Sequence, residues 1–198
     1  MGTMLEDVTI YCIRHGETDW NAESRYQGQA NIPLNARGRA QAKRNGEALR
    51  QFLPQIADAD FVASPLDRAY ETMRIVRRAL ELPEDDFRLE DRLREVHYGH
   101  WEGKLLTELP ELDPVGVADR RADPFKWRPD GGESYSDLME RVAEWLETVK
   151  RDTVIAAHGG VSRSLRGYLL GADMGGVLRV PVPQDQVLII RNGEMQWL

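Results

Sequence analysis

Two histidines of this chain stand directly after short apolar runs that predict buried strands. His15 follows one run by way of Arg14, and His158 follows another. Each histidine precedes a glycine, which lets another group approach the backbone closely. Arg68 lies near the start of a predicted helix that follows a third apolar run. Because sites of α/β sheets form beyond the carboxyl ends of the strands, these four side chains are candidates for one site.

Two guanidinium groups and an imidazole suit a phosphate dianion, which arginine binds through paired hydrogen bonds. A histidine is largely neutral at cytoplasmic pH, and neighbouring arginines disfavour its protonation further. The competing interpretation pairs Arg68 with Glu71 or Glu47 on the surface and lets each histidine merely fill a strand end. The matching positions of all four residues favour the phosphate site.

Three apolar runs, at residues 8–13, 61–63 and 153–157, predict buried strands. Neighbouring side chains of a strand point to opposite faces. Arg14 and His15 can therefore share a site only if the first strand has already ended.

Helix signals alternate with these strands. Asn35 predicts the N-cap of a helix that Pro54 bounds. Ser64 predicts the N-cap of the next helix, over about 66–80, with Pro65 at the first helical position.

The C-terminal third continues the alternation. Ser134 and Asp137 predict a capping box for a helix that runs to about residue 149. A helix over 161–170 then ends at Gly171, and an Asn-Gly turn predicts a hairpin within 187–197. The pattern predicts an α/β sheet with helices on both faces and an antiparallel edge at this hairpin.

Composition limits the function classes. The chain has 198 residues, of which 26 are Lys or Arg and 33 are Asp or Glu, for a net charge of −7. This length and composition fit a single domain over 1–198 and argue against disorder and against general nucleic-acid binding. The single cysteine, Cys12, lies in the first apolar run as an ordinary core residue and excludes an intrachain disulfide. Without a visible signal peptide or membrane-spanning run, we expect a cytoplasmic protein.

A metal site is the other chemistry that the histidines suggest. His97 and His100 are three residues apart and could share a metal with Glu95 or Glu102. A third strong ligand at convincing spacing is missing from the sequence, as are the glycine-rich loops that bind nucleotides. We therefore expect neither a metal nor another cofactor.

Several longer motifs run in order along nearly the whole chain. They are RHGETDWN at 14–21, QG at 27–28, PLNARG at 33–38, SPLDRAYET at 64–72, LREVHYGHWEG at 93–103, GGES at 131–134 and HG at 158–159. Together they resemble the histidine phosphatase superfamily, the phosphoglycerate mutase-like proteins. The first of these motifs alone is weakly specific, but the ordered set is strongly specific.

The resemblance implies a role for each site residue. His15 matches the nucleophile that becomes phosphorylated, and Glu95 matches the general acid and base. The phosphate contacts match five side chains: Arg14, Arg68 and His158 as the clamp, with Asn21 and Gln27 as auxiliary contacts. A glutamic acid needs partial burial, or the charge of a bound phosphate, to hold a proton near neutral pH. The competing interpretation is that Glu95 balances Arg92 or Arg94 on the surface.

The implied fold is a three-layer α/β sandwich, in which helices cover both faces of a mixed, mainly parallel sheet. A small irregular cap over about 97–130 covers the site, and its substrate is a small phosphomonoester. The cap contains side chains whose roles stay open at this point: Arg120, Arg121, Trp127 and Arg128. The stretch QDQ at 184–186 departs from the small polar residues common in relatives, so the C-terminal wall of the site is undefined. Whether the protein forms a homodimer also stays open.

The resemblance leaves three activities to distinguish. A metal-independent phosphatase with a phosphohistidine intermediate is the leading expectation. A cofactor-dependent phosphoglycerate mutase uses the same residues, but its members generally have a longer insertion before the last histidine and a longer tail. Here Glu95 and His158 are 63 positions apart, and 40 residues follow His158. A catalytically silent protein that binds a phosphorylated ligand is the third, and the intact set of site residues argues against it.

Overall fold

The computed structural model describes residues 7–198, so the expectation about a signal sequence at residues 1–6 lies outside it. Six strands form one sheet in the order β3-β2-β4-β1-β5-β6. The strands are β1 (Thr9–Arg14), β2 (Asp60–Ala63), β3 (Arg88–Leu89), β4 (Thr153–Ala157), β5 (Val187–Arg191) and β6 (Glu194–Trp197). The first four are parallel where they pair, while β5 and β6 run antiparallel at one edge. The predicted α/β class and its antiparallel hairpin edge are confirmed.

Eight α-helices accompany the sheet within the described residues. They are α1 (Asp19–Ala22), α2 (Ala36–Phe52), α3 (Asp67–Ala79), α4 (Leu109–Leu112), α5 (Pro114–Ala122), α6 (Tyr135–Leu146), α7 (Gly159–Leu170) and α8 (Met174–Val177). None of them is long and apolar enough to cross a membrane.

Alternating side chains of β1 divide the core into two layers. Ile10 and Cys12 face a cluster that α6 and α7 cover, whereas Tyr11 and Ile13 face a cluster that includes residues of α2 and α3. This alternation is the expected result of the two-residue period of a strand. Burial raises the pKa of the Cys12 thiol to about 12, which fits an inert core residue.

The predicted helix ends are confirmed at three places. The Asn35 side chain accepts a hydrogen bond from the Gly38 amide, and Ser134 and Asp137 form the expected capping box. Gly171 ends α7 in the left-handed conformation, with φ of 61°. Two boundaries differ from the prediction, because α6 ends at 146 rather than about 149, and α7 begins at 159 rather than 161.

The prediction that Ser64 caps α3 was wrong. The helix begins at Asp67, its N-cap position is Leu66, and no side chain caps it. The Ser64 hydroxyl lies instead 2.7 Å from Nε2 of His158. A hydroxyl can form only a few hydrogen bonds, and here its partner is His158, which directly follows the neighbouring strand β4.

The cap over residues 97–130 is more regular than expected, because it contains α4 and α5. Pro114 opens α5, and the Asp113 side chain caps that helix through the Gly116 amide. Trp101 is almost fully buried and packs on Trp127 with ring centroids 4.2 Å apart. These aromatic contacts give the cap a small core of its own.

Candidate active site

His15 lies immediately after β1 and is almost fully buried. Its Nδ1 is 2.7 Å from the Gly16 carbonyl oxygen, which can only accept, so Nδ1 carries the proton. Nε2 is then the unprotonated nitrogen, and Arg68 donates to it from Nε at 3.3 Å. Burial, followed by the charges of Arg68 and Arg14, holds the His15 pKa well below its ordinary value. The result is a neutral imidazole whose Nε2 lone pair accepts a hydrogen bond from Arg68.

Arg68 extends from α3 and is fully buried. Its Nη1 donates to the Ala30 carbonyl at 2.7 Å, and its Nη2 donates to the Gly28 carbonyl at 2.6 Å. Gly28 has φ of 52°, and a side chain there would collide with the Glu102 carboxylate. Burial lowers the Arg68 pKa to about 10, so the group stays charged at neutral pH.

The surface interpretation of Arg68 is wrong. Glu71 forms an ion pair with Arg39, and Glu47 forms one with Lys43. Arg68 is instead held only by carbonyl oxygens and the His15 ring, so its charge is not neutralised by a contacting carboxylate within residues 7–198.

Arg14 is the last residue of β1 and points toward the same cavity as His15. Its Nη1 donates to the Val182 carbonyl at 2.7 Å. Its buried Nε has no hydrogen-bond partner among the described residues. Such an orphaned buried donor is costly unless a ligand satisfies it.

His158 follows β4 and lies beside His15, with ring centroids 5.2 Å apart. Burial first, then the charge of Arg68, holds its pKa well below the ordinary value. Its Nε2 contacts the Ser64 hydroxyl, and its buried Nδ1 has no partner in residues 7–198. His158 is fully buried and does not form part of the cavity wall.

Glu95 reaches the amino end of α7. Both carboxylate oxygens accept from the Gly160 amide at 3.1 Å, and Oε1 also accepts from the Val96 amide at 2.9 Å. Gly160 lies in the first turn of α7, whose amides lack partners within the helix, so this contact fixes the position of the carboxyl group. The surface interpretation of Glu95 is wrong, since Arg92 pairs with Glu90 and Arg94 pairs with Asp91.

Asn21 and Gln27 both line the cavity, as the resemblance implied. Oδ1 of Asn21 accepts from the Thr18 amide at 3.2 Å and from Gln184 at 3.1 Å, which leaves its amide nitrogen for a ligand. Gln27 is buried, and its Oε1 has no partner within the described chain.

Gln184 is a site residue whose contacts sequence reasoning missed. Its Nε2 donates to the His15 carbonyl at 3.0 Å as well as to Asn21. The departure from the family pattern at 184–186 was the only signal, and it did not indicate which side chain reaches the site.

These residues open on a cavity of about 630 Å³ beneath the cap. Of the four cap residues whose roles the sequence left open, Arg120 and Arg121 line the cavity. Trp127 supports Trp101 from behind, and Arg128 pairs with Asp137 away from the cavity. The wall also contains residues that no sequence motif indicated, because they lie far apart along the chain: Tyr26, Tyr135, Arg163 and Arg179.

The two cap histidines contact different acidic side chains. His97 contacts Glu102 at 3.4 Å, while His100 contacts Asp113 at 3.0 Å. Among residues 7–198, no group of three or more His, Cys, Asp or Glu side chains could hold a metal ion.

Comparison with known proteins identifies the family. The model of the histidine phosphatase superfamily (branch 1) matches residues 10–198. Phosphoserine phosphatase 1 of Hydrogenobacter thermophilus is 33% identical, over 84% of this chain and 78% of that protein. A Salmonella paratyphi C protein named "Probable phosphoglycerate mutase GpmB" is 31% identical, over 96% and 87%. The solved structure of mycobacterial glucosyl-3-phosphoglycerate phosphatase with VO3 covers 96% of both chains with a TM-score of 0.78 and 30% identity. This chain is therefore a phosphatase-type hydrolase that belongs to the histidine phosphatase superfamily (branch 1).

Proposed function

We propose that this protein hydrolyses small phosphomonoesters through a phosphohistidine formed at Nε2 of His15. The observation that carries the proposal is the tautomer of the His15 ring and the hydrogen bonds that fix it. Nδ1 is committed to the Gly16 carbonyl, and Nε2 keeps its lone pair beside two charged guanidinium groups.

The first step forms the bond between Nε2 of His15 and phosphorus and breaks the bond between phosphorus and the ester oxygen. Glu95, in its acid form, gives a proton to the leaving oxygen. In the second step Glu95 removes a proton from water, whose oxygen forms a bond to phosphorus as the bond between phosphorus and Nε2 of His15 breaks. Inorganic phosphate leaves, and both residues return to their starting states.

The phosphoryl oxygens gain negative charge in both steps, and the cations of the site stabilise it. We assign this role to Arg14 and Arg68, whose guanidinium groups are oriented by carbonyl oxygens rather than neutralised by carboxylates. The amides of Asn21 and Gln27, which line the cavity, supply further contacts. His158 lies outside the cavity wall and packs beside the His15 ring.

A small ester fits this site better than a polymer. The cationic side chains lie inside a cavity of about 630 Å³, while the chain as a whole has a net charge of −7. A nucleic acid or a membrane surface would meet the acidic exterior first, and like charges repel.

A phosphoglycerate mutase is the second candidate, since a relative of that name matches 96% of this chain. The short span between Glu95 and His158 favours the phosphatase, as do the relatives that are named phosphatases. A protein that only binds phosphate would need neither the hydrogen-bonded position of Glu95 at the amino end of α7 nor the unprotonated Nε2 of His15.

One experiment tests the intermediate and separates these candidates. Phosphate release from a panel of phosphomonoesters is measured beside isomerisation of 3-phosphoglycerate with and without 2,3-bisphosphoglycerate. Wild-type protein should release phosphate and carry an acid-labile phosphoryl group, and His15→Ala should lose both. His100→Ala, on the exposed side of the cap, is the matched control and should retain both. Isomerisation faster than phosphate release would favour the mutase, and turnover by His15→Ala would refute the mechanism.

A further inference from the structure

The carbonyl group that fixes the His15 tautomer belongs to the peptide unit between Gly16 and Glu17. Its oxygen lies 2.7 Å from Nδ1 of His15, which donates to it. The N–H of the same peptide unit, at Glu17, donates to Oε1 of Gln41 at 2.8 Å. Because a peptide unit is planar, the two hydrogen bonds connect the His15 ring with the Gln41 side chain through one rigid group.

The direction of this peptide unit is not fixed by Gly16 itself. Close packing requires glycine at position 16, because a side chain there would collide with the Gly38 carbonyl. A glycine backbone can adopt more conformations than that of any other residue. The preceding peptide unit is held separately, since the Gly16 amide donates to the Thr72 hydroxyl at 3.2 Å. The hydrogen bond to Gln41 therefore holds the peptide unit that carries the carbonyl.

Gln41 is itself held beside this peptide unit by the packing of α2. It lies half-buried in the second turn of that helix. At the start of the helix, the Asn35 amide donates to the Glu17 carbonyl at 2.9 Å, and the Asn35 side chain donates to the Glu17 carboxylate at 3.1 Å. Since a backbone N–H can only donate, the oxygen of Gln41 is the atom that faces Glu17.

The hydrogen bond at Nδ1 gains strength where the reaction creates charge. As Nε2 of His15 forms its bond to phosphorus, the ring becomes an imidazolium that keeps a proton on Nδ1. The Gly16 carbonyl then accepts from a charged donor, and such hydrogen bonds are stronger than neutral ones. Its acceptor strength increases further when its own peptide N–H is hydrogen-bonded, because the bonds polarise one another. Interactions that strengthen in the transition state raise the rate of the chemical step.

We propose that Gln41 is a positioning residue for the nucleophile, which acts through the peptide unit between Gly16 and Glu17 to orient the His15 ring and keep its proton on Nδ1. This inference rests on the proposed function of the site, since it assigns Gln41 a role in the phosphorylation of His15. Gln41 does not line the cavity, so it acts without touching the substrate.

The rate of His15 phosphorylation tests this role. Gln41→Met removes the acceptor and keeps the length of the side chain, and Gln41→Ala is a second variant if the first does not fold. The single-turnover rate of nitrophenolate release from nitrophenyl phosphate should fall by about tenfold, the effect of roughly one hydrogen bond. The inhibition constant of inorganic phosphate should stay within about twofold of wild type, because the lost interaction strengthens only in the transition state.

Nitrogen NMR shifts of the His15 ring provide a second readout, which a partial loss of stability would leave unchanged. Wild-type His15 should carry its proton on Nδ1 alone, whereas Gln41→Met should show a mixture of the two tautomers. The spectrum of His15→Ala identifies the His15 signals.

Two further variants assign both effects to the acceptor oxygen. Gln41→Glu keeps an acceptor and should restore the ring shifts and most of the rate. Gln51→Met replaces an exposed glutamine of the same helix and is the matched control, so it should change neither quantity. A wild-type rate in Gln41→Met would overturn the inference, as would a reduced rate with unchanged His15 shifts or equal losses in Gln41→Met and Gln41→Glu.

The two proposals can fail separately. A wild-type protein that forms no phosphoenzyme would refute the phosphohistidine mechanism, while the ring shifts would still show whether Gln41 sets the His15 tautomer. Phosphoenzyme formation at equal rates in wild type and Gln41→Met would leave the mechanism intact and refute the role of Gln41.

Discussion

Arg141 and Glu133 form a two-pronged ion pair, in which Nε lies 3.0 Å from Oε1 and Nη2 lies 3.0 Å from Oε2. The same guanidinium donates to the carbonyls of Arg92, Arg94 and Glu95 at 2.7 to 3.0 Å. The pair thus fixes the main chain from which the Glu95 carboxylate extends. Glu133 belongs to the GGES motif, for which sequence reasoning had only a helix-capping explanation.

We expect Arg141→Met to displace the Glu95 carboxylate from its position in the site. Turnover of alkyl phosphates should fall by about tenfold to a hundredfold, because a misplacement near 1 Å can cost that much. Aryl phosphates with good leaving groups should lose less, since they need no proton from Glu95. Steady-state kinetics on both ester types checks this. Arg141→Lys, which keeps the charge, should recover part of the loss, and an equal loss on both ester types would indicate a purely structural role.

Substitution of Glu95 itself should produce a larger difference between alkyl and aryl phosphates than Arg141→Met does. Glu95→Gln keeps the shape of the side chain but cannot donate the proton, so turnover of alkyl phosphates should fall by about a hundredfold or more. Activated aryl phosphates should form the phosphoenzyme at a rate closer to wild type. Rapid-quench measurement of phosphoenzyme formation separates the two steps. The control is Glu144→Gln, on the exposed face of α6, and equal losses on both ester types would remove Glu95 from the acid role.

The buried histidines should make the fold sensitive to acid. The pKa values of His15 and His158 are held well below the ordinary value by burial, whereas in the unfolded chain both titrate near about 6.5. Below that pH the unfolded state binds more protons, so the free energy of unfolding decreases as the pH falls. Each histidine contributes up to about 1.4 kcal/mol per pH unit until its folded-state pKa is reached.

Urea unfolding in phosphate-free buffer at pH 7.5, 6.5 and 5.5 measures this effect. Wild-type protein should lose stability over this range more steeply than His158→Gln, which lacks one of the two titrating groups. His15→Gln is the second variant, and it should likewise flatten the curve. The same slope in all three proteins would show that the histidines do not carry the dependence.

Gln184 should position the phosphate site rather than take part in the chemistry. Gln184→Ala removes one donor to the His15 carbonyl and one to Asn21. Because each such hydrogen bond is worth about 1 kcal/mol, we expect the inhibition constant of inorganic phosphate and KM to rise by about threefold to thirtyfold. Competitive inhibition by phosphate gives the first quantity directly. Gln186→Ala, two residues further on, should change neither, and a loss confined to kcat would contradict a positioning role.

Sequence patterns were sufficient for the local features of this protein. The strands that precede His15 and His158 follow from continuous apolar runs, and the caps at Asn35 and Ser134 follow from the hydrogen-bonding capacity of those side chains. The ordered motifs indicated the family. Each of these signals is carried by a few neighbouring residues, so the chain alone contains it.

The tertiary structure decided which of the candidate residues work together. Ser64 had a plausible local role as a helix cap, but a histidine 94 positions away competes for its hydroxyl. The same holds for Arg120, whose surroundings come from the loop at Tyr26 and from the cap. Hydrogen bonds and cation–aromatic contacts act over a few ångströms in space and are indifferent to sequence separation. The sequence by itself therefore determined the elements and the phosphate chemistry, while only folding decided the tautomer of His15, the partners of Glu95 and the cationic wall of the cavity.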